Sequence, residues 1–376
     1  MDVLSEANAM VKDGIDIAYL CVGQPSAKAP VAAREAAKHH LEHQSIGYTD
    51  AAGRSDLKLG LSRYLGEKYS VDVSPDRIMI TTGSSAAFNL AFLTLFNPGD
   101  RVVMTSPGYP AYRNILKALS LEAVELPISE ANRWTLNVDA IREAYDEKPF
   151  EGLLLASPAN PNGTMISRLD LHEICDCCQE LGIKFISDEI YHGLSYPETT
   201  GMTDVSALQF TDQAIVINSF SKYFCMTGWR IGWMVLPPEL VRPVEVLSQS
   251  LYISAPELSQ VAALHALDAL DELEHVRQSY LANRNLLLEK LPLLGISDIA
   301  PIDGAFYAYA NVLKLTNNSD EFAKQLLREA HVAVTPGKDF DPVNGNQFVR
   351  FSFAGDFSVM ENALGRIQSY IGNKAE

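Results

Sequence analysis

Short apolar runs recur along the first two thirds of the chain, each separated from the next by an amphipathic stretch or a turn. Runs at 78–82, 101–105, 121–126, 152–157, 183–188 and 214–219 are rich in Ile, Val, Leu and Met, with turn residues at their ends. Each is too short for a helix and reads as a buried strand. Between them, 31–43, 56–68, 86–96, 112–119 and 169–181 carry apolar residues at helical spacing. Strands and helices in alternation predict a mostly parallel sheet covered on both faces, an α/β fold.

The pattern changes after Val235. Residues 256 to about 293 read as long helical material with few breakers. Runs at 306–311, 332–335 and 348–353 read as strands around a helix over 320–330. That predicts a smaller α+β domain. At the other end, 1 to about 13 reads as a helix, 17–22 as a strand, Gly23-Gln24-Pro25 as a turn and 47–53 as a loop. The expected division is a large domain over 36–282 and a small one built from 1–35 and 283–376. No repeat or low-complexity segment interrupts it.

With 376 residues, 47% of them hydrophobic, the chain has material for a sizeable core. Its net charge of −17 disfavours nucleic acid and anionic membranes as partners. An anionic ligand would need a local basic pocket. The first residues lack a basic segment followed by an apolar one, so no secretory signal is expected. No apolar run is long enough to span a bilayer. A cytoplasmic location follows as the expectation, and the sequons at Asn162 and Asn317 read as chance. Cys175, Cys177 and Cys178 cluster behind His172, but no second cysteine pair completes a metal site. They read as free thiols on a helix closed by Gly182.

The densest candidate chemistry lies at 219–232. Ser219-Phe220-Ser221-Lys222 follows a strand, and Arg230 comes just before the next apolar run. A lysine in apolar surroundings near another cation loses proton affinity and becomes a usable nucleophile. An arginine with hydroxyls beside it suits an anionic phosphate. A surface lysine beside a buried strand fits this stretch equally well.

In an open α/β sheet, ligands bind outside the carboxyl ends of the strands. Gly83-Ser84-Ser85 opens a helix there, as a phosphate site or an ordinary serine cap. Ser157 to Gly163 follows a buried strand, as does Asp188-Glu189-Ile190-Tyr191. Arg350 sits amid alternating apolar residues, either as a salt-bridge partner or as a two-pronged clamp on a carboxylate. Tyr109, after Pro107-Gly108, could stack on a flat ring or fill a turn.

Taken together and in order, S-x-S-K-x7-R-x-G, N-P-x-G, D-E-I-Y and the late R-F-S-F-A resemble the fold-type-I, pyridoxal-phosphate-dependent aminotransferases of class I/II. The bacterial aspartate/aromatic-type subgroup, with its G-x-P near the start, is the nearest in pattern. The resemblance covers nearly the whole chain. It implies pyridoxal 5'-phosphate as cofactor, joined covalently to Lys222. Asp188 would pair with the pyridine nitrogen, and Tyr191 and Asn160 would hydrogen-bond the ring's phenolic oxygen. Tyr109 would stack on one ring face and Ile190 pack on the other. Ser84, Ser85, Ser219 and Arg230 would hold the phosphate. Tyr48 would reach the phosphate of a neighbouring subunit, making a homodimer with shared active sites. Arg350, with Asn160 and the backbone of Gly23 beside it, would bind the substrate carboxylate. The implied reaction moves an amino group between an L-amino acid and a 2-oxo acid in a ping-pong cycle, with Lys222 carrying the proton.

The chain departs from the pattern at three places. Ser157 and Asn162 stand where the family often has Asn and Thr. Ser26-Ala27 follows Gly23-Gln24-Pro25 where Asp-Phe is usual. Asp341 follows Phe340 where Gly is usual. The second lies by the substrate and leaves its identity open, although Ala305-Phe306-Tyr307 would suit a neutral or aromatic one. Two further readings keep the cofactor: a β-lyase on cysteine conjugates, and a non-catalytic cofactor-binding module. A nicotinamide dehydrogenase is disfavoured because no G-x-G-x-x-G occurs.

Overall fold

The computed structural model describes residues 2–375, so Met1 of the expected first helix lies outside the described residues. The strands are β1 (Ala18–Tyr19), β2 (Ile78–Thr81), β3 (Arg101–Ser106), β4 (Glu122–Pro127), β5 (Gly152–Ala156), β6 (Lys184–Asp188), β7 (Ile215–Ser219), β8 (Gly232–Val235), β9 (Tyr307–Asn311), β10 (Val332–Ala333), β11 (Thr335–Pro336) and β12 (Phe348–Ser352). The helices before β7 are α1 (Asp2–Lys12), α2 (Val31–His43), α3 (Ser55–Tyr69), α4 (Gly83–Leu95), α5 (Pro110–Ala118), α6 (Val138–Glu147), α7 (Arg168–Leu181) and the short α8 (Pro197–Thr200). After β8 come α9 (Val241–Tyr252), α10 (Glu257–Ala266), α11 (Leu270–Leu293), α12 (Ser319–Ala330) and α13 (Phe357–Ala375).

Seven strands form the main sheet in the order β2-β8-β7-β6-β5-β3-β4. The run from β4 to β7 is parallel, and β8 lies antiparallel to both its neighbours. Side chains alternate between two cores, as the two-residue period of a strand requires. Leu153, Leu155, Phe185 and Val216 enter one core, while Leu154, Ile186, Ile215 and Ile217 enter the other. All are nearly inaccessible to water, which is why these segments read as unbroken apolar runs. Each such side chain contributes roughly 1.5–3 kcal/mol over its exposed state.

A three-stranded antiparallel sheet, β11-β12-β9, and a parallel pair, β1-β10, make up the rest. The expected strand over 17–22 shrinks to two paired residues, Ala18 and Tyr19, opposite Val332 and Ala333. The expected 332–335 strand divides between two sheets. The expected helical material over 256 to about 293 forms two helices, α10 and α11, without Gly or Pro at the break. Asp271 and Glu272 in the first turn of α11 favour a fresh start there, because acidic groups suit a helix N-terminus.

The register of the main sheet levels the strand ends. Ala156 lies opposite Asp188, and Asp188 opposite Ile217. The carboxyl ends of β5, β6 and β7 thus open on one side, where the chain turns at Ser157, Glu189 and Phe220. The β2–α4 turn joins them there through Gly232 of β8. A Cβ on Gly232 would stand 3.0 Å from the Ser84 nitrogen.

Candidate active site

These strand ends enclose a cavity of about 350 Å³. Gly23, Ser84, Ser85, Tyr109, Asn160, Asp188, Ile190, Tyr191, Lys222, Arg230 and Arg350 all line it. Eleven residues singled out in the sequence therefore meet, though Gly23 and Arg350 are more than 300 positions apart. Its charged lining is lopsided: Lys222, Arg230 and Arg350 face one carboxylate, Asp188. In a chain of net charge −17 this is a local basic pocket, and it favours a ligand with anionic groups.

One end gathers features that suit an anionic group. Backbone N–H groups at the start of α4 point outward unpaired by the helix, and the helix dipole favours negative charge there. Gly83 has φ of +72°, and a Cβ on it would fall 2.4 Å from Arg230 Nη2. Only glycine lets that guanidinium lie so close to the helix start. Arg230 is itself held by an Nη1–H bond to the Thr227 carbonyl, 3.1 Å.

Lys222 and Asp188 face the middle of the cavity. Nζ of Lys222 donates to the Gly23 carbonyl at 2.6 Å. Burial, then the Arg350 charge, bring its pKa down to about 8; Asp188 pulls it up, and Arg230 adds a smaller downward push. Burial raises the Asp188 carboxyl to about 7, although the Tyr112 phenol and the Ile190 N–H both donate to it. Ile190 is buried at the cavity wall. Tyr109, at the start of α5, is half open to solvent with its ring edge-on to Tyr112.

Arg350, on β12, closes the other end. Its Nη1 donates to Asn160 Oδ1 at 2.8 Å, and its Nη2 to the Cys21 carbonyl at 2.8 Å and Thr335 Oγ1 at 3.3 Å. Its Nε is buried without a hydrogen-bond partner. The guanidinium lies over the Tyr307 ring, 4.2 Å from its centre. The Tyr307 hydroxyl meets the Tyr191 hydroxyl at 2.8 Å.

Two expected site residues stand apart from the cavity lining. Ser219 is buried behind it, donating to Ser221 Oγ at 2.9 Å, and Ser221 is the serine that reaches the wall. Tyr48 is 82% exposed. Phe88, Tyr112 and Thr227 line the cavity without having been singled out. Spacing of Tyr112 after Tyr109, one helical turn on, was the available signal. The thiols of Cys175, Cys177 and Cys178 lie buried on α7, where burial pushes Cys175 up to about 12 and raises Cys178 further. Burial thus favours the neutral thiol, the less reactive form.

A cavity at the strand ends that gathers a buried lysine, two arginines and a helix start has the make-up of an enzyme site suited to an anionic ligand. The family model for aminotransferase class I and II matches residues 15–367, and the chain belongs to that family. It is 43% identical to a valine–pyruvate aminotransferase of Mycobacterium tuberculosis, over 99% of this chain and 95% of that protein. It is 30% identical to an aspartate aminotransferase of Thermotoga maritima, over 100% and 96%. The crystal structure of an aminotransferase from Mycobacterium tuberculosis superposes with a TM-score of 0.96 at 43% identity, covering 99% and 96%. The protein is an aminotransferase, moving an amino group between an amino acid and a 2-oxo acid. Among the described residues, no helix is long and apolar enough to cross a membrane.

Proposed function

We propose that this aminotransferase works with pyridoxal 5'-phosphate and takes an amino acid whose side chain carries no charge. The residues present fit the cofactor: the Gly83–Ser85 turn and Arg230 for its phosphate, Asp188 for its ring nitrogen, and Lys222 for its covalent hold. When bound, the cofactor supplies an electron sink for the pair left at the substrate's Cα.

Each residue then has a stated task. Arg350 binds the substrate carboxylate in a two-pronged hydrogen bond, with its buried Nε available for one prong. Asn160 steadies the guanidinium through Nη1. Tyr307 supports it from below. Lys222, whose lowered pKa of about 8 leaves part of it as the neutral amine at physiological pH, takes the proton from Cα and returns it elsewhere. Asp188 as a carboxylate keeps a facing nitrogen protonated. Tyr109 and Ile190 are placed to pack against opposite faces of a planar ring, and Tyr191 to donate at its edge.

The observation that carries the substrate reading is the short supply of cations. Arg230 serves the cradle, Lys222 the chemistry and Arg350 the α-carboxylate, so the lining that this subunit supplies leaves none for a second carboxylate. Tyr109, Tyr307, Ile115 and Val22 supply apolar surface instead. The likeness to a valine–pyruvate enzyme agrees with a neutral donor and a short 2-oxo acid. The test is a paired assay: valine with pyruvate against aspartate with 2-oxoglutarate. A higher kcat/KM for the aspartate pair rules out the neutral-donor reading.

We infer in addition a homodimer in which Tyr48 serves the partner's cradle. We also infer a large domain over 36–282 and a small one from 1–35 with 283–376. The pairing of β1 with β10 supports assigning both termini to one unit. Those divisions fall inside α2 and α11, so continuous helices would form the joints. All five cysteines are free, which suits a reducing cytoplasm.

A further inference from the structure

The buried face of α5 carries Tyr112, whose hydroxyl donates to Oδ2 of Asp188. Oδ1 of the same carboxylate accepts the Ile190 N–H at 3.1 Å. Both oxygens are therefore spoken for by fixed donors, one from backbone and one from a side chain. Asp188 is 3% exposed and Tyr112 5% exposed, so water offers little alternative. The Tyr112 ring is itself clamped, edge-on to Phe88 at 5.2 Å and to Tyr109 at 5.3 Å. It can turn little without moving α4 or the Tyr109 ring beside the cavity.

We propose that Tyr112 is a positioning residue, whose phenol fixes the orientation of the Asp188 carboxylate and holds it ionised for the transfer reaction. The physical need is plain. A buried carboxylate without donors takes up a proton, and a neutral acid cannot keep a facing nitrogen charged. The other titratable groups facing Asp188 are Lys222 from the 219–224 turn, Glu189 beside it on its own turn, and Tyr109 from the start of α5. Glu189 opposes ionisation and Lys222 favours it. Tyr112 adds a donor that carries no charge, and burial raises its own pKa well above 10, so it keeps its proton through the working range.

The inference rests on the reading of Asp188 given above only in its catalytic consequence, and the test separates the two. In the full chain freed of cofactor, the Asp188 carboxyl is followed by carbon NMR against pH, assigned by its loss in Asp188→Asn. Tyr112→Phe keeps the clamped ring and removes one donor. Its midpoint moves upward by about one unit or more. Placing 3-fluorotyrosine at position 112 alone, a stronger donor of the same size, moves it downward. An unmoved midpoint in either variant overturns the proposal, and the second variant decides if the first does not fold. In the loaded enzyme, Tyr112→Phe lowers kcat about tenfold or more with KM for the amino acid unchanged, because Arg350 is untouched. A shifted midpoint with unchanged kcat upholds Tyr112 as the support of Asp188, and instead removes Asp188 from the ring nitrogen.

Discussion

Lys222 and Gly23 lie 199 residues apart in sequence, yet Nζ of the first donates to the carbonyl of the second at 2.6 Å. The contact holds an amine with no acidic hydrogen-bond partner in the lining of a basic cavity. Its pKa stands near 8 against an ordinary 10.5, chiefly through burial. Below about 8 the fold must hold an ammonium it disfavours. That cost fades as pH rises through 8 toward 10.5, where only the unfolded chain still binds the proton. Lys222→Met should therefore stabilise the cofactor-free chain at neutral pH by about 1–3 kcal/mol, allowing for partial exposure. Denaturant unfolding at neutral and at alkaline pH checks this, and the gain must shrink in alkali.

Gly23 has a second neighbour. A Cβ there would stand 2.1 Å from the Tyr307 hydroxyl. Tyr307 cannot retreat freely, since it bonds Tyr191 and carries the Arg350 guanidinium on its face. Gly23→Ala should overpack the site by about 1–3 kcal/mol and lower kcat/KM roughly tenfold to hundredfold. Adding Tyr307→Phe removes the struck oxygen and should recover part of the loss. A double variant no better than the single one would place the damage elsewhere.

Arg350→Lys tests the carboxylate clamp. A lysine offers one point charge where a planar fork is needed, and it cannot keep the Asn160 and Cys21 bonds together. Breaking such a buried pair costs roughly 2–5 kcal/mol, so kcat/KM should fall by at least about thirtyfold. Cofactor retention after gel filtration should be unchanged, because the cradle lies at the other end. Loss of cofactor with the amino-acid affinity kept would mean that Arg350 has a different role.

Much of this site was legible because it sits at strand ends. Ser84, Asp188 and Lys222 each follow a run whose apolar character marks it as buried, and ligands collect where such runs stop. Ser219 stands behind the cavity wall for a local reason: as the last residue of β7 its side chain is buried, bonded to the loop serine two positions on, which lines the cavity. Tyr112 stayed hidden because its partner is 76 residues away, and a tyrosine on a helix reads as core. The α10–α11 break was hidden because neither Gly nor Pro marks it. Strand direction also left no trace, since β8 is as apolar as its parallel neighbours although it runs against them.

Tyr48 supplies the last test. Its backbone neighbours are firmly held: Gly47 N–H donates to Glu257 at 2.6 Å and Thr49 N–H to Ser254 Oγ at 3.3 Å. Its side chain is nonetheless 82% exposed, with Ile46, Leu41, Leu251 and Ile253 also exposed. An aromatic displayed on an ordered turn beside other exposed apolar groups suits a contact between copies. If Tyr48 completes the cradle of the partner, Tyr48→Ala should weaken cofactor binding without touching Lys222. Lys222→Ala should abolish transfer outright. Co-expressing the two variants then gives mixed dimers, in which one site has both defects and the other has none. About half of randomly assembled dimers are mixed, so about a quarter of the wild-type activity should return at limiting cofactor. Activity no greater than that of the Tyr48→Ala protein alone would mean that each subunit builds its site unaided.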